Sequence, residues 1–166
     1  MANLIATISI LIAVILQTTI VVRINILHGA ADLVLLTLVA WVIHEQAKSI
    51  FRWGLLAGVL VGIASVLPFW LVAIEYIFVV IILGSIQARV WQAPLFILYS
   101  SVFLGTFIIN GMDFLYLWMI GVPLSSDEVF NLVILPSLIL NIILALPIYS
   151  VMGEMAKQVF PPEVEV

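Results

Sequence analysis

The chain has 166 residues, 66% hydrophobic and only 8% charged, with a mean hydropathy of +1.38 and a formal net charge of −4. So much apolar surface cannot be hidden by a water-soluble domain of this size, and the few basic residues form no patch for nucleic acid. Cysteine is absent, which excludes disulfides, thiolate metal sites, cysteine nucleophiles and lipidation on cysteine. The composition predicts an integral membrane protein.

The first apolar run, Asn3 to Val22, holds twenty residues, enough at ~1.5 Å per residue to cross a hydrocarbon core of ~30 Å. It has no basic leader and no small-x-small cleavage site, so it reads as a retained helix rather than a signal peptide. Gln17, Thr18 and Thr19 place polar atoms near its far end, suited to hydrogen bonding between helices. Arg23, Asn25 and His28 then make a polar turn, and Gly29 breaks the helix. Asp32 opens a short second run, Leu33 to Ile43, which either starts earlier or lies in a thin, protein-lined region. Two compatible roles follow for Asp32: a helix N-cap, and a partner for Arg23 that links the first two helices.

The segment from His44 to Arg52, HEQAKSIFR, starts like the zinc motif H-E-x-x-H, but Lys48 stands at the second histidine. It reads as a cytoplasmic turn anchored to membrane lipids by Lys48 and Arg52. The next run, Trp53 to Trp70, has eighteen residues and no charge, and is predicted to be a single spanning helix around which the others are arranged. Gly54, Gly58 and Gly62 recur every four residues along one of its faces, where another helix backbone can approach closely. The expected occupant of that face is a helix of a partner protein, with packing inside the bundle as the alternative.

Glu75 is expected at a helix boundary within reach of water, before a fourth run from Tyr76 to Ile86. Gln87, Arg89 and Gln92 form the next turn. Pro94 starts a fifth helix through Ile109, and Asn110, Gly111 and Asp113 interrupt it. Met112 to Val122 either extends that helix or lies along the outer surface. An acidic loop with Asp127 and Glu128 leads into a last run, Val129 to Met152, which Pro136 and Pro147 should bend. One polytopic domain, 1–157, and a short acidic cytoplasmic tail, 158–166, complete the plan.

Six spans place both ends on one side. Lys48, Arg52, Arg89 and Lys157 then face the cytoplasm and only Arg23 faces out, which favours N-in, C-in by the positive-inside rule. All five tryptophans fall near proposed boundaries. In this plan the middles of the spans carry no ionisable residue. No G-x-S-x-G, P-loop or metal-spaced cluster occurs, so neither catalysis nor a cofactor is expected.

Four local features resemble the bacterial rod shape-determining protein MreD family: Leu16–Gln17 ending the first helix, ADLVLL from Ala31 to Leu36, the glycine series, and LNIILALPIY from Leu140 to Tyr149. Gln17, Asp32, Asn141 and Pro147 are the motif positions. Ala31 stands where the family usually has proline, and Ala64 or Ser65 where many members have an acid. The resemblance implies a non-enzymatic subunit of the elongasome in the inner membrane of bacteria. Such a subunit would hold the bitopic protein MreC and act with a RodA-type glycosyltransferase, a class B penicillin-binding protein and MreB. It also implies a compact all-α bundle similar to the substrate-binding subunits of energy-coupling-factor transporters. Such a vitamin-binding subunit is itself the alternative reading, to which Ala2-x-x-x-Ala6 has a faint likeness. Arg23, Asn25, His28 and Asp32 would be the richest polar set on its outer side.

Overall fold

The structure, a computed structural model, describes residues 2–23, 26–45, 50–89 and 93–159. Asn25, Lys48, Trp91, Gln92 and the end of the acidic tail lie outside them. The described regular elements are helical: α1 (Ala2–Thr19), a 3-10 turn (Val21–Arg23), α2 (Leu33–Glu45), α3 (Ile50–Ala64), α4 (Phe69–Arg89), α5 (Pro94–Met119), α6 (Ser126–Val129), a π turn (Phe130–Ile134) and α7 (Leu135–Val159). Three helices are long and apolar enough to cross a membrane, Phe69–Gln87, Pro94–Met119 and Ser126–Lys157, and three apolar helices are shorter. Large apolar side chains such as Ile12 and Ile15 on α1 and Phe96, Phe103 and Phe107 on α5 face outward. This is the surface of an all-helical membrane protein.

The centre of the bundle is α2. Every residue from Val34 to Val42 is buried, Thr37 included, and α1, α3, α4, α5 and α7 all pack against it. A helix apolar on every side belongs in a core. With 13 residues it covers only ~20 Å at ~1.5 Å per residue, so its ends stop inside protein. There the unbonded backbone groups of its first and last turns need side-chain partners. At the C-terminal end, Gln87 Nε2 donates to the Val42 carbonyl at 3.1 Å.

The sequence expectation of one helix from Trp53 to Trp70 is corrected by a turn at residues 65–68. Ser65 Oγ accepts the Leu67 N–H at 3.1 Å, and the Pro68 carbonyl accepts from Leu71 N–H at 2.9 Å to start α4. Proline disfavours helical geometry at the residue before it, so α3 stops although the apolar run continues. Glu75 consequently moves from a boundary into the second turn of α4, where it is buried.

The glycine face is also corrected: α4 occupies it. A Cβ at Gly58 would lie 2.7 Å from Ala73 Cα, one at Gly62 2.9 Å from Phe69 Cα, and one at Gly54 2.6 Å from Val80 Cγ2. The three glycines close an antiparallel hairpin of α3 and α4 and leave no room there for a partner helix.

Nor do Asn110, Gly111 and Asp113 interrupt α5, since the Asn110 amide donates back to the Thr106 carbonyl at 2.8 Å and the helix continues to Met119. It ends at Gly121 (φ 85°), with Gly121 N–H bonded to Trp118 O and Val122 N–H to Leu117 O. This is the left-handed glycine cap that terminates many helices.

Candidate functional site

Between the 3-10 turn and α2 the described backbone is not helical, yet it is tied to the protein, with Gly29 and Ala31 buried. Ile26 and Gly29 pair across a tight turn with Leu27 at φ 58°. The chain then runs extended along the last helix, and alternate N–H groups donate to it. His28 N–H bonds the Leu132 carbonyl at 3.0 Å, Ala30 N–H bonds Ser137 Oγ at 3.1 Å, and Asp32 N–H bonds Asn141 Oδ1 at 2.7 Å. Pro136 has no N–H to give the carbonyl four residues earlier, that of Leu132, which therefore accepts from His28. A Cβ at Gly29 would lie 2.6 Å from Ser137 N and 2.7 Å from Val133 O, so only glycine lets the two backbones meet. Irregular backbone survives in a membrane protein only where protein satisfies it in this way.

The segment delivers Asp32 to the N-terminus of α2. Its Oδ1 accepts the Leu35 N–H at 2.9 Å, the geometry of an N-cap, while Gln17 Oε1 from α1 accepts the Val34 N–H at 3.0 Å. Tyr76 on α4 donates its hydroxyl to the same carboxylate, 2.9 and 2.8 Å from its two oxygens. Asn141 Nδ2 on α7 donates to Thr106 Oγ1 on α5 at 2.9 Å. One polar knot thus ties five helices together. The expected Arg23–Asp32 link does not form: Arg23 is exposed on the 3-10 turn, and both Asp32 oxygens are taken by Leu35 and Tyr76.

Beside the knot is a chamber of about 250 Å³ lined by Asp32, Glu75, Tyr76, Asp113 and Asn141 among others, with His28 and Ala30 exposed on its rim. The Glu75 side chain is only 1% exposed. The carboxyl groups of Glu75 and Asp113 lie against each other and share a side-chain hydrogen bond, acid to acid, with Glu75 Oε1 and Asp113 Oδ1 buried. A larger cavity of about 620 Å³ shares Leu67, Asn110, Asp113 and Val133 with the chamber and is lined mainly by apolar side chains. Among the described residues no three His, Cys, Asp or Glu side chains are grouped to hold a metal ion.

Of the residues singled out in the sequence, the structure brings Gln17, Asp32 and Asn141 together. Pro147 lies apart, in an apolar groove of about 260 Å³ between α1, α2 and α7, together with Ile12, Ala13, Val151 and Met152. Glu75, Tyr76, Thr106, Asp113 and Ser137 were not foreseen as site residues. The signal for two of them was present: Thr106 and Asp113, with Asn110 between them, recur at i, i+4 and i+7, a polar stripe along one face of an otherwise apolar helix. Ser137 and Asn141 repeat the pattern on α7. In comparisons with known proteins, no family model, no curated protein and no solved structure matches this chain.

Proposed function

We propose that the protein is a non-enzymatic scaffold subunit of the bacterial elongasome, similar to MreD, which holds an MreC-like bitopic protein and helps regulate side-wall peptidoglycan synthesis. In this reading it crosses the inner membrane six times with both ends in the cytoplasm. A RodA-type glycosyltransferase, a class B penicillin-binding protein and MreB belong to the larger assembly. One observation carries the reading: Gln17, Asp32 and Asn141 come from three separate stretches that resemble the family, and they share one hydrogen-bonded knot. Residues with a common physical task explain why three weak local likenesses occur together. With the glycine face filled by α4, the partner helix is assigned to the apolar groove floored by Ser9 and Ala13 and flanked by Ile12 and Val151, where van der Waals packing can hold it.

The test is purification of the tagged protein from native membranes in mild detergent, with mass spectrometry of what accompanies it. An MreC-like protein should be recovered, and Val151→Trp, at an exposed position in the groove, should lose it at normal membrane levels. Unchanged recovery from that variant would move the partner to another surface. The acid-lined chamber favours a second reading, the substrate-binding (vitamin) subunit of an energy-coupling-factor transporter. Recovery of paired ATPases with a coupling subunit would establish it in place of the first.

A further inference from the structure

We propose that the bilayer is pinched beside α3, where phospholipid phosphates and water enter the leaflet at the Gln87 end of α4 and meet Arg52. This goes beyond the scaffold role and does not depend on it.

The depth of Arg52 follows from the seam between α3 and α4. A Cβ at Gly62 would meet Phe69, one at Gly58 would meet Ala73, and one at Gly54 would meet both the Tyr76 carbonyl and the Val80 side chain. Each turn along α3 therefore moves about one turn the other way along α4. Continued past Gly54, this register sets Arg52 and Phe51 level with Val79 to Ile81. The spanning stretch of α4 is Phe69–Gln87, 19 residues, and its middle is Phe78. Arg52 thus stands about 12 Å inside the Gln87 end, at ~1.5 Å per residue. The bundle itself continues to that end, since Gln87 reaches the Val42 carbonyl of α2. Read from sequence, Arg52 belongs to a surface turn; the helix pairing carries it near the centre of the span.

Arg52 is exposed there, next to Phe51 and Leu55, which are 55% and 42% exposed. This side of the bundle faces lipid, and a charge is costly in hydrocarbon. An arginine side chain is shorter than its distance from the end of the span, so snorkelling alone does not bring the guanidinium to an undisturbed head-group layer. The head groups come in instead, as a locally thinned leaflet. Charge complementarity selects the phosphodiester as the contacting group. A guanidinium has five N–H donors, enough to serve a group of its own protein and a phosphate at once, and its planar fork matches two phosphate oxygens.

The chain has no cysteine, so an introduced thiol is its single labelling site. Phe51 on α3 and Ile81 on α4 share one level and are 55% and 54% exposed. Bimane is attached to Phe51→Cys or Ile81→Cys of the full chain in phosphatidylcholine nanodiscs. Its quenching by lipids with a nitroxide on the head group is compared with quenching by lipids with a nitroxide near the chain end. The ratio of head-group to chain-end quenching should be at least threefold higher at position 51 than at position 81, and Arg52→Leu should lower it to the value at 81. The two sites compared with Arg52 intact decide the matter even if Arg52→Leu fails to fold. A chain-end pattern at both sites overturns the proposal, because the bilayer is then unpinched. A head-group pattern at both overturns it too, by removing the depth of α4 at this level. Protection of the label at 51 from both quenchers would place protein rather than lipid on this face, and a ratio unchanged by Arg52→Leu would separate the pinch from Arg52; either result sinks the proposal. Failure here leaves recovery of an MreC-like protein unaffected, so the two readings fail separately.

Discussion

The seam between α3 and α4 and the seam between α2 and α7 solve the same problem by opposite means. Lipid tails are as apolar as leucine, so burial of apolar area gives membrane helices little reason to associate. Across the first seam the answer is proximity: Gly58 and Gly62 let backbone meet backbone, Gly54 makes room for the Val80 side chain, and dispersion does the rest. Across the second it is polarity: Asn141 and Ser137 of α7 accept the backbone N–H groups of Asp32 and Ala30 in the segment that leads into α2. The glycine seam tolerates no added volume, whereas the polar seam tolerates no lost partner.

The largest effect expected from this contrast is at Gly58. A leucine there has its Cβ 2.7 Å from the Ala73 Cα, and backbone cannot give way as a flexible side chain can. The cost should reach or exceed the ~3 kcal/mol typical of severe overpacking, and membrane accumulation measured by immunoblot should fall several-fold. Normal levels of Gly58→Leu would mean that the seam opens more easily than its contacts imply.

Asp32→Ala should come next. It removes the cap of α2 and leaves the Tyr76 hydroxyl and the Leu35 N–H without an acceptor, at a cost of about 2–3 kcal/mol. Tyr76→Phe alone should cost about 1 kcal/mol. The double variant should cost less than the sum, with a coupling of about 1 kcal/mol in unfolding by denaturing detergent. Strict additivity would show that the two groups do not act as one unit.

Asn141→Ala should follow at about 1–2 kcal/mol, since it deprives the Asp32 N–H of its acceptor and Thr106 Oγ1 of a donor. Asn141→Asp restores the acceptor but not the donor, and thermal melting should place it between wild type and alanine. Smallest and of opposite sign is Gly111→Ala. This helical glycine has nothing within 4 Å of where a Cβ would stand, so alanine should stabilise α5 by about 0.5–1 kcal/mol. A loss of stability there would mean that this face of α5 is packed against another molecule.

Much of this architecture is written locally. The four-residue glycine spacing announces a flat face, and Asp32 before an apolar run announces a cap. What lies against the face is not local: Ala73 and Val80 reach Gly58 and Gly54 only because Ser65 and Pro68 turn the chain inside an unbroken apolar stretch. Hydropathy carries no mark of such a turn, and reading through it carried Glu75 from the interior to a rim. The same weighting treated Asn110 and Asp113 as a break in α5. In lipid, a side chain that bonds back into its own helix leaves the helix intact, so polarity there marks a site rather than an end. The Arg23–Asp32 link failed for another reason. Opposite charges on one side of the membrane invite pairing, but a buried tyrosine 44 positions away satisfies the carboxylate without desolvating an arginine.

The extended segment before α2 also sets a schedule for synthesis. Ala30 and Asp32 donate to side chains 107 and 109 positions later. A ribosome adding about 5–20 residues per second reaches those acceptors roughly 5–20 s after the donors have been made. During that interval the N-terminal helices are in place without the support they will finally have, and a chain cut short before α7 never acquires it. The last helix therefore completes the N-terminal part: its arrival supplies the acceptors for the His28, Ala30 and Asp32 N–H groups.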